Sequence, residues 1–261
     1  MNPTIECVGL TVGVDGRTLI QDLNLQLAPG AFVCVLGPNG VGKTLTLHTM
    51  AGLRPIQGGS IFLQGKPLTN LGRSLIARRL GLLLQTHDDA FPTTVLESAL
   101  MGCHARLGFW QWESSDDIDG TQAALNSMDL TDLSTRMIAT LSGGERQRLA
   151  LATLLVQNPD VLLLDEPMNH LDPLHKLLVL KKLTALADDG KTILASLHDP
   201  VLAAKYSQSV LLMFGDGNWE FGATKKMLTP ENLERLYGTP FVEFQRNGQS
   251  VLLPAHSRDL A

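Results

Sequence analysis

Along the first part of the chain, apolar and polar residues take turns. Residues 4–12 carry Ile5, Cys7, Leu10 and Val12 on a near two-residue rhythm. Residues 19–27 repeat it with Leu23, Leu25 and Leu27 before the turn pair Pro29-Gly30. Such alternation buries one face of a strand and wets the other. With Ser60–Leu63, which runs into Gly65, these strands predict a small antiparallel sheet. A second pattern is the short run with almost no polar residue. Phe32–Leu36, Leu80–Gln85, Val161–Asp165, Thr192–Leu197 and Val210–Phe214 are too short for helices, so each reads as a strand covered on both faces. Leu80–Gln85 (LGLLLQ) is expected to be a central strand.

Helical spacing fills the intervals. It predicts helices at Leu71–Arg79, Val95–Met101, Asp117–Met128, Leu174–Ala187 and Pro230–Tyr237, one starting at Pro200, and one opened by Ser142 that runs through Leu149, Leu151 and Leu155. Asp116 and Asp117 fall where an N-cap and first turn favour negative charge. Strands alternating with helices give an α/β fold with a mostly parallel sheet. Residues 86–140 are dominated by helical patterns and are expected to form an inserted helical subdomain. Residues 1–85 and 141–261 then make the core with its antiparallel β subdomain, all within one domain spanning 1–261. Gly108–Trp112 (GFWQW) carries two of the three tryptophans, either as part of a core or as a surface on which a partner docks.

Composition narrows the classes. The 261 residues are 44% hydrophobic and 18% charged, which allows a full core and excludes a disordered chain. A net charge of −5 argues against a nucleic-acid face as the main business, so no nucleic-acid partner is expected. Cys7, Cys34 and Cys103 lie far apart, match no metal or disulfide spacing, and are expected to be reduced core residues. No apolar window of about 18 residues exists, and the N-terminus lacks a basic-then-apolar leader. The chain is expected to be soluble and cytoplasmic by itself, taking any membrane part from a partner.

The chemistry lies where the apolar runs stop. Phe32–Leu36 stops at Gly37-Pro38-Asn39-Gly40-Val41-Gly42-Lys43-Thr44, which fits the phosphate-loop pattern G-x-x-x-x-G-K-[ST], and the helix-compatible Leu45–Leu53 follows. Its glycines let the loop wrap a phosphate with backbone N–H groups inward, and the helix beginning near Lys43 adds the positive end of its dipole. Lys43 is expected on the β- and γ-phosphates and the Thr44 hydroxyl on Mg²⁺. Val161–Asp165 stops at a carboxylate, which needs a partner or a metal, so Asp165 is expected to serve Mg²⁺ directly or at one remove. Glu166, next in the chain, is the candidate to polarise the attacking water. His198, after Thr192–Leu197, is a candidate to bond a phosphate or orient that water. Gln85 is by itself an ordinary loop residue, but strand ends at Gly37, Gln85, Asp165 and His198 all deliver polar groups to the edge where α/β sheets bind ligands. Ser142-Gly143-Gly144 offers a second anion site at a helix N-terminus.

In this order, the phosphate loop, Gln85, LSGGERQR (Leu141–Arg148), VLLLDEP and His198 resemble the ATP-binding subunit of an ABC transporter, over nearly the whole chain. LSGGERQR is the specific piece, since a generic phosphate-loop ATPase has no need of it. The resemblance implies ATP hydrolysis with ATP and Mg²⁺, the whole loop from Gly37 to Thr44 in contact with nucleotide, and a homodimer stacked head to tail. In that dimer Ser142, Gly143 and Gly144 meet the γ-phosphate held by the partner's loop, and Asp172 of Asn169-His170-Leu171-Asp172 lies at the dimer contact. Gln85 then touches Mg²⁺ and senses a membrane subunit that docks on residues 86–140. Within the family, EPMNHLDP, SLHDPVLAAKY, GFWQW and the tail MLTPENLERLYGTPF are similar to importer ATPases for iron-siderophores, haem and cobalamin. That likeness implies separate transmembrane permease subunits, an indirectly acting periplasmic or extracellular substrate-binding protein, and a peripheral place on the cytoplasmic face of the inner membrane. One position departs from the family: its adenine-stacking aromatic corresponds to Val14 in LTVGVDGR. The alternative is a soluble ABC ATPase without transport, such as the iron–sulphur assembly type. A nucleotide switch without turnover is disfavoured by Glu166.

Overall fold

Strands β1 (Ile5–Val14) and β2 (Arg17–Leu27) are joined by Asp15-Gly16, whose φ angles of 49° and 79° are the left-handed pair a two-residue hairpin turn requires. The computed structural model describes residues 3–84, 92–108, 111–246 and 249–255. After the hairpin come β3 (Phe32–Leu36), α1 (Lys43–Met50), β4 (Gly58–Leu63) and the short β5 (Lys66–Pro67). β2, β1, β4 and β5 pair antiparallel in that order, the small sheet that alternation predicts. The middle of the chain supplies α2 (Arg73–Arg79), β6 (Leu80–Leu83), α3 (Val95–Leu100), α4 (Ser115–Ser127) and α5 (Gly143–Gln157). β7 (Val161–Leu164), α6 (Pro173–Asp188), β8 (Thr192–Ser196), α7 (Pro200–Tyr206) and β9 (Ser209–Met213) continue the alternation. β10 (Trp219–Ala223), α8 (Thr224–Met227), α9 (Pro230–Tyr237) and the hairpin β11 (Phe241–Arg246) and β12 (Gln249–Pro254) complete it.

The main sheet has six strands in the order β10-β9-β3-β8-β7-β6, parallel except for the β9–β10 pair. Strands β9, β3, β8, β7 and β6 are mostly apolar because both faces are covered, whereas the edge strand β10 carries Glu220 and is only partly buried. In β3, Phe32, Cys34 and Leu36 enter one core while Val33 and Val35 enter the other. β7 divides Leu162 and Leu164 from Val161 and Leu163 in the same way. The first core gathers Leu149 and Ala152 of α5, Leu180 and Leu183 of α6, and Val95, Ala99 and Leu125 of α3 and α4. The second gathers Leu47 and Met50 of α1 and the inner face of the antiparallel sheet, Cys7, Leu10, Leu23 and Leu25. The fold is α/β, a phosphate-loop core with an antiparallel sheet on one side and helices on the other. The three cysteines are buried and free, and burial pushes the Cys7 and Cys34 thiols up to about 12. Among the described residues no helix is long and apolar enough to cross a membrane.

Some expectations change. β6 is an edge strand of the main sheet, where a central one was expected. Its apolar content reports cover on the sheet faces, which an edge strand under helices shares with a central one. Gln157, the last residue of α5, ties that helix to the start of β6, its Nε2 donating to the carbonyls of Ala77 at 2.7 Å and Leu80 at 3.2 Å. The N-cap of α4 is Ser114, with Asp117 closing a capping box three residues on. Trp112 is 88% exposed, which removes the core reading for that residue, and Phe109 and Trp110 lie outside the described residues.

Candidate active site

β3, β8 and β7 are neighbours in the sheet, so the residues that follow them emerge side by side at one edge. From β3 the chain enters the phosphate loop and then α1. Gly42 caps α1 with φ 107°, and a Cβ there would meet the Leu19 side chain at 2.9 Å, so this position admits only glycine without strain. Lys43 folds back over its own loop, Nζ donating to the carbonyls of Gly37 at 2.8 Å and Pro38 at 3.1 Å. Burial pushes the Lys43 pKa below its ordinary value, against the pull of Glu166 and Asp165. Those two carboxylates therefore share the electrostatic environment of the ammonium. Thr44, one residue on, lies half-buried in the first turn of α1.

Asp165 follows β7 and is wholly buried. Its Oδ1 accepts the Ser196 hydroxyl at 2.8 Å, while its Oδ2 is buried without a hydrogen-bond partner among the described residues. A buried carboxylate oxygen left so is costly unless a cation completes it, so the donor set fits a hard divalent ion such as Mg²⁺. Glu166 has a left-handed backbone, φ 49°, and its N–H donates to Ser196 Oγ at 2.8 Å. Its Oε1 lies 2.6 Å from His198 Nε2, and its Oε2 accepts from Asn169 Nδ2. Gln147 Nε2 reaches the Glu166 carbonyl at 3.4 Å. Lys43, Asp165, Glu166 and His198 are thus brought to one edge, whereas Gln85 lies outside the described residues. Ser196, Asn169 and Gln147 are additions that sequence reasoning missed. The signal for Ser196 was a polar residue closing the otherwise apolar end of TILAS.

The serine–glycine motif lies elsewhere, in a 460 Å³ cleft lined by Ser142, Gly143, Gly144, Glu145, Arg148, His170, Leu171, Asp172 and His175. No phosphate-loop residue borders it. Ser142 is the N-cap of α5, and it forms a capping box with Glu145: Glu145 N–H donates to Ser142 Oγ at 3.3 Å and Ser142 N–H to Glu145 Oε2 at 2.6 Å. A Cβ on Gly144 would sit 2.8 Å from the His170 carbonyl, which holds the motif against the segment 169–172. Asp172 caps α6, accepting the His175 N–H and lying 2.9 Å from His175 Nδ1. Those hydrogen bonds from His175 hold the Asp172 carboxyl below the usual carboxylate range. Arg148, on α5, donates to the carbonyls of Met128 at 2.7 Å and Asp129 at 2.6 Å and so ties the end of α4 to the motif helix.

The profile of the family described as ABC transporter matches residues 20–169. The manganese transport system ATP-binding protein MntB of Bacillus subtilis is 34% identical, over 90% of this chain and 92% of that protein. The hemin import ATP-binding protein HmuV of Hahella chejuensis is 36% identical, over 85% of this chain and 87% of that protein. A solved structure described as an inward-facing "metal-chelate type ABC transporter" superposes with a TM-score of 0.84 at 27% identity, covering 98% of this chain and 99% of that one.

Proposed function

Because the chain belongs to the ABC transporter family, as an ATP-binding cassette and an ATPase, we propose that it drives a membrane importer of a metal chelate, of the haem, iron-siderophore or cobalamin type. The haemin-import relative and the metal-chelate transporter structure support that cargo class, while the manganese relative keeps the metal centre as the common chemistry. The relatives do not favour a cassette of iron–sulphur assembly.

In this reading Gly37, Pro38, Asn39, Gly40, Val41 and Gly42 wrap the triphosphate of ATP, and Lys43 turns from its loop carbonyls toward the β- and γ-phosphates. Thr44, Asp165 and Gln85 would hold Mg²⁺, which when bound neutralises charge on the β- and γ-phosphate oxygens. Glu166 accepts the proton of the attacking water, with Asn169 and His198 holding its two carboxylate oxygens in aim. Ser142, Gly143 and Gly144 serve the γ-phosphate of ATP on a second copy, with Asp172 at the same contact. Separate permease subunits bind the cassette at the cytoplasmic face of the membrane, residues 86–140 forming the docking subdomain, and a substrate-binding protein acts through them. The observation that carries this function is the meeting, at one sheet edge, of the phosphate loop, the unsatisfied Asp165 oxygen and the Glu166–His198 pair at 2.6 Å.

The direct test is Glu166→Gln. The variant is expected to bind ATP with Mg²⁺, to lose turnover, and to elute as an ATP-dependent dimer in size-exclusion chromatography, since the amide keeps the shape but accepts no proton. Wild-type hydrolysis by the variant would give the base role to another residue.

A further inference from the structure

Two adjacent carboxylates, Asp165 and Glu166, are sent to different tasks, and one hydroxyl stands between them. Ser196 ends β8 and is wholly buried, with β3 on one side and β7 on the other. Its Oγ lies 2.8 Å from Asp165 Oδ1 and 2.8 Å from the Glu166 nitrogen. The roles are fixed by chemistry. An amide N–H can only donate and an ionised carboxylate can only accept, so the single hydroxyl proton goes to Asp165 while a lone pair takes the Glu166 N–H. This bond occupies Oδ1 and leaves Oδ2, buried and without a partner among the described residues, as the oxygen available to a cation. The other bond anchors a backbone at φ 49°, a conformation that non-glycine residues adopt only under constraint. That conformation turns the Glu166 side chain toward His198.

We propose that Ser196 is a positioning residue: by donating to Asp165 and accepting from Glu166, its hydroxyl sets the affinity of the site for the divalent cation that accompanies the nucleotide. The inference rests on the reading of Asp165 as a cation-holding residue. Without the hydroxyl, Asp165 is free to rotate its carboxylate and the Glu166 amide loses its acceptor.

The test uses the purified full chain with a non-hydrolysable ATP analogue and reads Mn²⁺ binding by electron paramagnetic resonance. Ser196→Ala is expected to bind Mn²⁺ about tenfold more weakly, the loss that follows from one hydrogen bond to a charged group. Nucleotide affinity measured in EDTA should be unchanged, a split that a merely structural defect does not produce. Ser196→Thr, which keeps the hydroxyl, should restore Mn²⁺ binding. Asp165→Asn separates the two layers of the reading. If it binds Mn²⁺ like wild type, the assignment of Asp165 fails. If it loses Mn²⁺ and Ser196→Ala does not, the role of Ser196 alone is overturned. Should Ser196→Ala fail to fold by circular dichroism, Ser196→Cys keeps the size with a weaker donor. An intermediate Mn²⁺ affinity then supports the role, and wild-type affinity overturns it.

Discussion

Val14 stands at the end of β1, opposite Arg17 across the Asp15-Gly16 turn, and packs on the same core cluster as Val41 of the phosphate loop. If Val14 holds the place where the family resemblance puts an adenine-stacking aromatic, valine offers the base no π-face. Base–aromatic stacking is worth about 1–3 kcal/mol. Val14→Tyr is therefore expected to tighten ATP binding by about 1 kcal/mol, roughly fivefold, a discounted share of that energy. Wild type should accept GTP with modest loss, because the triphosphate contacts ignore the base. Titration of both nucleotides against both proteins checks this, and unchanged or weaker ATP binding in the variant would remove Val14 from the base site. Single residues of this kind are legible in the sequence when their chemistry is set by neighbours along the chain. Lys43 follows Gly42, and Asp165 closes an apolar run, so their spacing alone announces them. Ser196 and Asn169 are not legible in that way. Ser196 matters because β8 lies beside β7, a pairing across 31 residues of sequence, and Asn169 matters because Glu166 turns back toward it.

Three helices begin with the same device. Thr94 and Glu97 on α3, Ser114 and Asp117 on α4, and Ser142 and Glu145 on α5 each close a capping box, the acid accepting the N-cap N–H. Those backbone hydrogen bonds, the largest cause in each case, hold Glu97, Asp117 and Glu145 below their ordinary pKa values of 4.5, 3.8 and 4.5. The sign follows from proton linkage: a depressed folded-state pKa contributes stability above the unfolded value, lost as pH falls through the folded one. Acid should thus weaken the N-terminal caps of α3, α4 and α5 in the range below those ordinary values. The triple variant Glu97→Gln/Asp117→Asn/Glu145→Gln keeps an acceptor at each cap but no titrating proton. Its urea midpoint is expected to fall less than that of wild type between neutral and acid pH. An equal fall in both proteins would place the acid-sensitive groups elsewhere. At this scale the strong periodicities gave helices and apolar strands faithfully, while weak patterns hid other elements. β10, with the sequence WEFGA, is only partly buried and holds a glycine. β11 opens on two apolar residues in a row and so shows no clean alternation.

At the scale of the whole molecule, the two anion sites proposed above have separate linings. The phosphate loop opens at the sheet edge with Asp165, Glu166 and His198 nearby, while Ser142, Gly143 and Gly144 line a cleft that no phosphate-loop residue borders. The rest of the cleft is lined by Glu145, Arg148, His170, Leu171, Asp172 and His175, with basic side chains at Arg148, His170 and His175 and acidic ones at Glu145 and Asp172. A helix N-terminus with glycines attracts phosphate, and in the proposed arrangement another copy supplies that phosphate as its bound nucleotide. Sequence alone could find both motifs but not their separation, because distance between them depends on how α5 and the sheet pack. The proposed head-to-tail dimer makes a specific demand. Ser142→Arg places a bulky cation at the cleft, which should obstruct the second copy while leaving the loop of its own chain untouched. In the Glu166→Gln background, ATP is expected to give a dimer. The double variant Ser142→Arg/Glu166→Gln should remain a monomer at the same ATP concentration, yet bind ATP with the affinity of Glu166→Gln as a monomer. Light scattering coupled to size-exclusion chromatography reads the first quantity and nucleotide titration the second. Persistence of the ATP-bound dimer in the double variant, or loss of nucleotide binding by the monomer, would assign the cleft to something other than the γ-phosphate of a second copy.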